Sequence, residues 1–181
     1  GLITAHQMGT YIPTEIRASI GSTYDICTVK VVDPNITIGD VGFYSDGTTI
    51  AYGRTTNEGA VTTEGATAEN YNIKWDGSTL TLANAVITTS DTYAISYGFG
   101  GNLCIELIGN NQVTTTSGNG TGIYVGGSSP HLTISAQTEN PRLEVTAQYS
   151  GILSWGGSLT IESGTIVVLS LIHISEPTRP Y

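Results

Sequence analysis

Between Tyr71 and Val168 a phrase of apolar, small and apolar residues returns four times, as Leu80-Thr81-Leu82, Leu103-Cys104-Ile105, Leu132-Thr133-Ile134 and Leu159-Thr160-Ile161. The copies stand 23, 29 and 27 residues apart, in the window where self-similarity signals stacked structural units. A second phrase precedes the later three copies: Ile95 through Gly100-Gly101, Gly122-Ile123-Tyr124-Val125-Gly126-Gly127, and Gly151-Ile152 through Trp155-Gly156-Gly157. A third, rich in Val, Ile and Thr, follows each copy: Val86–Thr89, Val113–Thr115, Leu143–Thr146 and Thr165–Val168. Each period therefore holds three short runs with the two-residue alternation of a strand, parted by Gly, Asn, Ser and Asp.

Three strands per turn describe a triangular coil. The reading is all-β: a right-handed parallel β-helix with three strands per turn and an N-terminal cap rich in β-hairpins. Leu80, Leu103, Leu132 and Leu159 would then form one inward column, and Leu82, Ile105, Ile134 and Ile161 a second. Thr81, Cys104, Thr133 and Thr160 would face outward, where β-branched neighbours pack well on a pleated surface. An antiparallel sandwich also has turn signals every 8–12 residues, but nothing in it requires one phrase order to be kept. A leucine-rich repeat wants a helical segment opposite its strand, and no window here has helical periodicity. The Gly pairs mark one corner, where positive φ or close backbone approach is needed. Asn84, Asn110, Asn111 and Asn140 mark another, as an expected stabilising Asn ladder.

Composition narrows the partners. Charged residues make up 12% of the 181, the formal charge is −9, and no Lys/Arg cluster occurs. Nucleic acid and anionic membrane are poor partners for such a surface, and no stretch reaches the 18 apolar residues of a spanning helix. The scarcity of charge beside abundant Thr, Ser, Asn and Gly suits an extracellular or cell-surface solenoid. Cys27 and Cys104 are too few for a disulfide framework. Cys104 reads as a Thr-sized filler on a strand, with a bridge to Cys27 as the alternative.

In chain order, residues 1–23 form a segment without clear pattern, in which Pro13–Arg17 reads as one turn of helix. Residues 24–75 read as the cap, with strands at Tyr24–Val32, Asn35–Val41 and Phe43–Tyr52, the last folded at Asp46-Gly47, a hairpin signal. Arg54–Asn70 reads as a loop and Asp76-Gly77 as a second hairpin turn. The first winding of a coil exposes unpaired backbone, which a cap must cover. The coil takes residues 76–168. Residues 169–181 are set apart, because Leu169 to Arg179 resembles an in-frame translation of a sequencing adapter; the native coil is then expected to continue past Val168, and His173, Glu176 and Arg179 enter no site.

The run Asn72–Val168, with Trp75-Asp76-Gly77-Ser78-Thr79-Leu80-Thr81-Leu82, Gly122–Gly127 and Ser158–Val168, resembles the β-helical proteins of gut bacteria described as carbohydrate-binding domain-containing. The resemblance covers a little over half the chain. It implies a secreted or cell-surface protein, a right-handed parallel β-helix and contact with polysaccharide or host glycan. It carries no site motif over to particular residues.

Chemistry is sparse. A β-helix enzyme acting on uronic-acid polymers would gather carboxylates on one face, as an acid/base pair or around calcium. Of Asp91, Glu106, Glu139, Glu144 and Glu162, only Glu106 and Glu162 share a register. They stand two strands apart with Ser135 between, about 9.6 Å by strand spacing. Arg142 beside Glu144 reads as a surface ion pair of little energy, and His131 as a loop residue. No catalytic residue, metal site or cofactor is assigned. The candidate binding residues are aromatic: Tyr97, Phe99, Tyr124 and Trp155 fall on one side of the triangle, where rings can stack on sugars or fill wide corners of the core. The leading expectation is a non-catalytic module with carbohydrate binding or adhesion. A fragment of a polysaccharide lyase or glycoside hydrolase and a structural stalk or adhesin repeat are the alternatives.

Overall fold

The computed structural model describes residues 14–20, 23–29, 33–98 and 100–170, the side chains from residue 33 onward. They belong to two compact units divided after Pro34, so the expected cap is shared between them. In the first, β1 (Thr14–Ile20) pairs antiparallel with β2 (Thr23–Val29), Ile16 opposite Cys27. A strand thus stands where Pro13–Arg17 suggested a helical turn. The alternation of Ile16, Ala18 and Ile20 with Glu15, Arg17 and Ser19 has the period of a strand and overrides that local signal.

The second unit is all-β among the described residues. It opens with short strands, β3 (Ile36–Ile38), β4 (Val41–Phe43), β5 (Ala51–Thr55), β6 (Val61–Thr62) and β7 (Ile73–Trp75). Three triads follow: β8 (Thr79–Ala83), β9 (Val86–Thr89) and β10 (Tyr93–Tyr97); β11 (Asn102–Ile108), β12 (Asn110–Thr115) and β13 (Thr121–Val125); β14 (His131–Ala136), β15 (Arg142–Ala147) and β16 (Ser150–Ser154). The pair β17 (Ser158–Ile161) and β18 (Thr165–Ser170) comes last.

Members of successive triads lie side by side. The first strands pair in parallel as β8-β11-β14-β17, the second as β9-β12-β15-β18 and the third as β10-β13-β16. Two of these sheets are mixed. Antiparallel β3 and β4 continue the third-strand sheet beyond β10, and β7, β5 and β6 continue the first-strand sheet beyond β8. The inward residues of all three sheets meet in one apolar cluster.

Register bears out two of the three expected steps. Leu103, Leu132 and Leu159 are level, as are Ile105, Ile134 and Ile161. The first step slips by two residues: Leu80 is level with Ile105, Leu82 with Leu107, and Cys104 with Thr79. Side chains alternate faces every residue, so a two-residue slip keeps the leucines inward. Leu80 and Leu82 are fully buried. Thr81, expected on the outward face, is buried as well, and its hydroxyl has no hydrogen-bond partner.

The two kinds of corner are built differently. Between first and second strands one residue is left-handed in each triad and in the last pair: Asn84 (φ 50°), Gly109 (φ 65°), Asn140 (φ 52°) and Gly164 (φ 97°). Gly and Asn are the residues that tolerate this region. At Gly109 a side chain would also collide with that of Asn84, which instead accepts a hydrogen bond from the Asn110 amide. The expected Asn ladder is not what forms. Buried Asn111 accepts from the Ala85 amide at 2.9 Å and donates to the Ile108 carbonyl, tying the corner through backbone rather than through stacked amides. At the other corner Gly100-Gly101, Gly126-Gly127 and Gly156-Gly157 recur as expected, and a side chain on Gly127 would strike the Gly100 backbone.

Asp76-Gly77 turns the hairpin β7–β8. Asp46-Gly47 makes a turn of the same kind, yet it joins β4 and β5, which lie in different sheets, and is not a hairpin. Trp75, fully buried, packs edge-on against Tyr97 at 5.9 Å and donates its indole N–H to Asn35 Oδ1 at 2.6 Å.

Candidate functional site

Among the described residues, the third-strand sheet carries the most concentrated set of exposed rings. Tyr93 begins β10, Tyr124 is the fourth residue of β13, and Tyr149 and Trp155 flank β16. Tyr93 is level with Thr121, and Tyr124 with Ser96 and Leu153. The Tyr93 ring reaches diagonally to the next strand and stacks on Tyr124, with centroids 4.5 Å apart and planes at 20°. Gly126 leaves room for this, since a side chain there would collide with the Tyr124 phenol. Trp155 is held where β16 enters its corner by donating its amide to the Val125 carbonyl at 2.8 Å, and Gly156 turns the chain at φ 74°.

These rings and Leu153 line a surface cleft of about 380 Å³, completed by Thr92, Asn119 and Thr121. That is at the small end of ligand sites, which run from roughly 300 to 1,000 Å³. Trp155 is 64% exposed, Tyr149 53% and Tyr93 36%. Large apolar rings gathered on a surface forgo about 1.5–3 kcal/mol each of burial stabilisation, and such patches mark interaction sites.

Of the four aromatics singled out by sequence, Tyr124 and Trp155 are brought together here. Tyr97 points inward and is buried in the core against Trp75, which removes it as a binding residue. Phe99 lies outside the described residues. Tyr97, Val125 and Ser154 are level, so Trp155 falls one residue past that column. Tyr93 and Tyr149 were missed. Each stands at the entry to a third strand, just after a turn, where alternation does not yet apply.

Elsewhere the polar columns stand largely as their spacing implied. Glu106 is level with Ser135, and the Glu162 amide bonds the Ile134 carbonyl, which sets the two acids two strands apart. Glu106 accepts a hydrogen bond from the Gln137 amide. Cys104 is a free, half-buried thiol 3.9 Å from Ser135 Oγ. Burial pushes its pKa up; the hydrogen bond with Ser135 opposes this, and the weaker effects of the Glu106, Glu162 and Asp76 charges add to the rise, so the nucleophilic thiolate is disfavoured. Cys27 has no described side chain. His131, expected in a loop, opens β14 instead. Its Nδ1 shares a 2.5 Å hydrogen bond with Ser158 Oγ, and Nε2 lies 3.3 Å from Thr160 Oγ1. Arg142 and Glu144 form the expected surface ion pair at 2.8 Å. Among the described residues no three His, Cys, Asp or Glu side chains converge as metal ligands, and no helix is long and apolar enough to cross a membrane.

A second concavity lies between the twin turns Asp46–Thr49 and Asp76–Thr79. Both aspartates are occupied within their own turns. Asp46 Oδ1 accepts from the Thr48 and Thr49 amides and the Thr48 hydroxyl, and Asp76 Oδ1 from the Ser78 and Thr79 amides and the Ser78 hydroxyl. Backbone and side-chain donation holds the Asp46 carboxyl well below its usual range. At Asp76 partial burial opposes ionisation, but the Ser78 and Thr79 donors and the charge of Lys74 outweigh it and lower the pKa.

No family model, curated protein or solved structure matches this chain.

Proposed function

We propose that the chain is a non-catalytic, extracellular or cell-surface module, built as a right-handed parallel β-helix, that binds carbohydrate through the aromatic cleft on its third-strand sheet. The β-helix reading is supported by the recurrence of one strand per sheet in every triad and by the single core the three sheets share. The low charge and the Thr, Ser, Asn and Gly surface support the location.

The observation that carries the binding reading is the cluster of side-by-side exposed rings around an uncharged cleft. Pyranose faces rich in C–H stack on such rings, while the hydroxyl of Thr92 and the amide of Asn119, both exposed, offer hydrogen bonds. A purely structural stalk has no use for exposed Trp155 and Tyr149, and the acids Glu106, on β11, and Glu162, just past the end of β17, go with a different sheet from the cleft.

Polysaccharide affinity electrophoresis of the wild type against Trp155→Ala and Tyr149→Ala tests this. Retardation by at least one polysaccharide is expected, weakened about tenfold or more in each variant, which corresponds to ~1.4 kcal/mol. A wild type that no polysaccharide retards would remove the proposal.

A further inference from the structure

We infer that the cleft selects uncharged glycan chains several sugars long and discriminates against uronic-acid polymers. The inference rests on reading the cleft as a glycan site, and it adds the chemical class and minimum size of the ligand.

The charge argument starts from the lining. Every polar group there is a neutral hydroxyl, amide, phenol or indole N–H, and Asp91, next to Thr92, is the only charged residue within two positions of any lining residue. Recognising a carboxylate takes a cation, best an Arg presenting paired donors. The described cationic side chains of this unit are Arg54, Lys74 and Arg142. The first two belong to β5 and β7, in another sheet, and Arg142 on β15 is already paired with Glu144 at 2.8 Å. A chain of formal charge −9 adds a repulsive field, which salt screens over about 10 Å at 0.1 M. A carboxylated polymer would lose its water in this cleft and gain no counter-charge. A neutral one loses only hydroxyl hydration, which exposed Thr92 and Asn119 can replace.

The size argument comes from where the rings sit. Tyr149 and Trp155 flank the five-residue strand β16, and at about 3.3 Å per residue their backbones are on the order of 20 Å apart. The stacked Tyr93–Tyr124 pair lies beside that line on the neighbouring strands. A single pyranose can cover one of these rings. An oligosaccharide can reach two or more at once, and linked contacts strengthen each other through effective concentration.

The test is calorimetric titration of the whole chain with cellohexaose, xylohexaose and mannohexaose, with hexagalacturonate and with glucose, at low and high NaCl. At least one neutral hexamer is expected to bind tenfold or more tighter than both hexagalacturonate and glucose, with the gap to hexagalacturonate narrowing as salt rises. Asp91→Lys, which puts a cation in place of the exposed acid beside the lining, should narrow that gap several-fold with no change for the neutral ligand. Hexagalacturonate binding as tightly as the neutral hexamers would overturn the charge selectivity and leave glycan binding standing. Glucose matching the hexamer would overturn the length requirement. Silence from every sugar would take down the glycan reading and this inference together.

Discussion

The same phrase behaves differently at the two ends of the parallel sheets. At Leu132 and Ile134 the side chains are fully buried, whereas Leu159 and Ile161, one strand further on and in the same register, are 43% and 50% exposed. Val168 and Leu169 of β18 are exposed as well. The opposite end is covered: β3, β4, β5, β6 and β7 lie against β10 and β8, and Ile36, Ile38, Phe43, Ile73 and Trp75 are buried among them. Burial in such a stack is supplied by the next layer and not by the residue itself. An inward leucine contributes stability only when strands pack on both sides of it.

The sharpest way to break the comparison is to truncate equivalent leucines. Leu132→Ala should cost about 2–5 kcal/mol as a core cavity, and Leu159→Ala well under ~1 kcal/mol. Urea unfolding of the two variants reads the difference, and equal costs would show that the last strands are as well packed as the interior. Next in size is the covered end's polar tie. Asn35 accepts from Trp75 and from the Ser45 amide and donates to the Ser45 carbonyl. Asn35→Ala strands the buried indole N–H and should cost ~1–3 kcal/mol, seen as a lower denaturant midpoint with an unchanged slope.

A smaller effect of opposite sign is expected where β8 meets the covering strands. Thr81→Val removes a buried hydroxyl without a partner in the same shape, and a gain of about 1 kcal/mol should appear in the same measurement. The smallest effect is acid sensitivity. Asp76 has a folded pKa below its unfolded value. Its contribution is therefore present above the ordinary aspartate value near 3.9 and is lost as pH falls through the depressed folded value. Asp76→Asn should flatten the decline in stability on acidification, and an unaltered pH profile would remove the turn as a source of acid lability.

What the sequence made legible follows from the same physics. Apolar alternation in Leu103-Cys104-Ile105 and its later copies specified which residues face inward, because one face of each strand must be dry. It could not specify register to better than two residues, since Leu80-Thr81-Leu82 looks identical after a two-residue slip, and the structure takes the slipped pairing. For the cleft, Tyr124 and Trp155 were legible as surface candidates. Tyr97 was not separable from them until the corners' unequal lengths were known, and Tyr93, first in β10, and Tyr149, just ahead of β16, stand at strand entries where periodicity has not yet begun. The antiparallel pairing of β1 was hidden behind a proline that also suits a helix start.

The left-handed corner has a consequence for building on this scaffold. Between first and second strands the chain spends residues 84–85 in one triad, Gly109 alone in the next, and residues 137–141 in the third, yet β9, β12 and β15 stay in parallel register. Spare length is absorbed before Asn140, whose backbone then re-aims the chain into β15. A foreign peptide spliced at Glu139, past the bonds that tie Gln137 to Leu107 and Thr138 to Gly109, would be displayed in solvent on a stiff support, with neither flanking sheet asked to change its pairing.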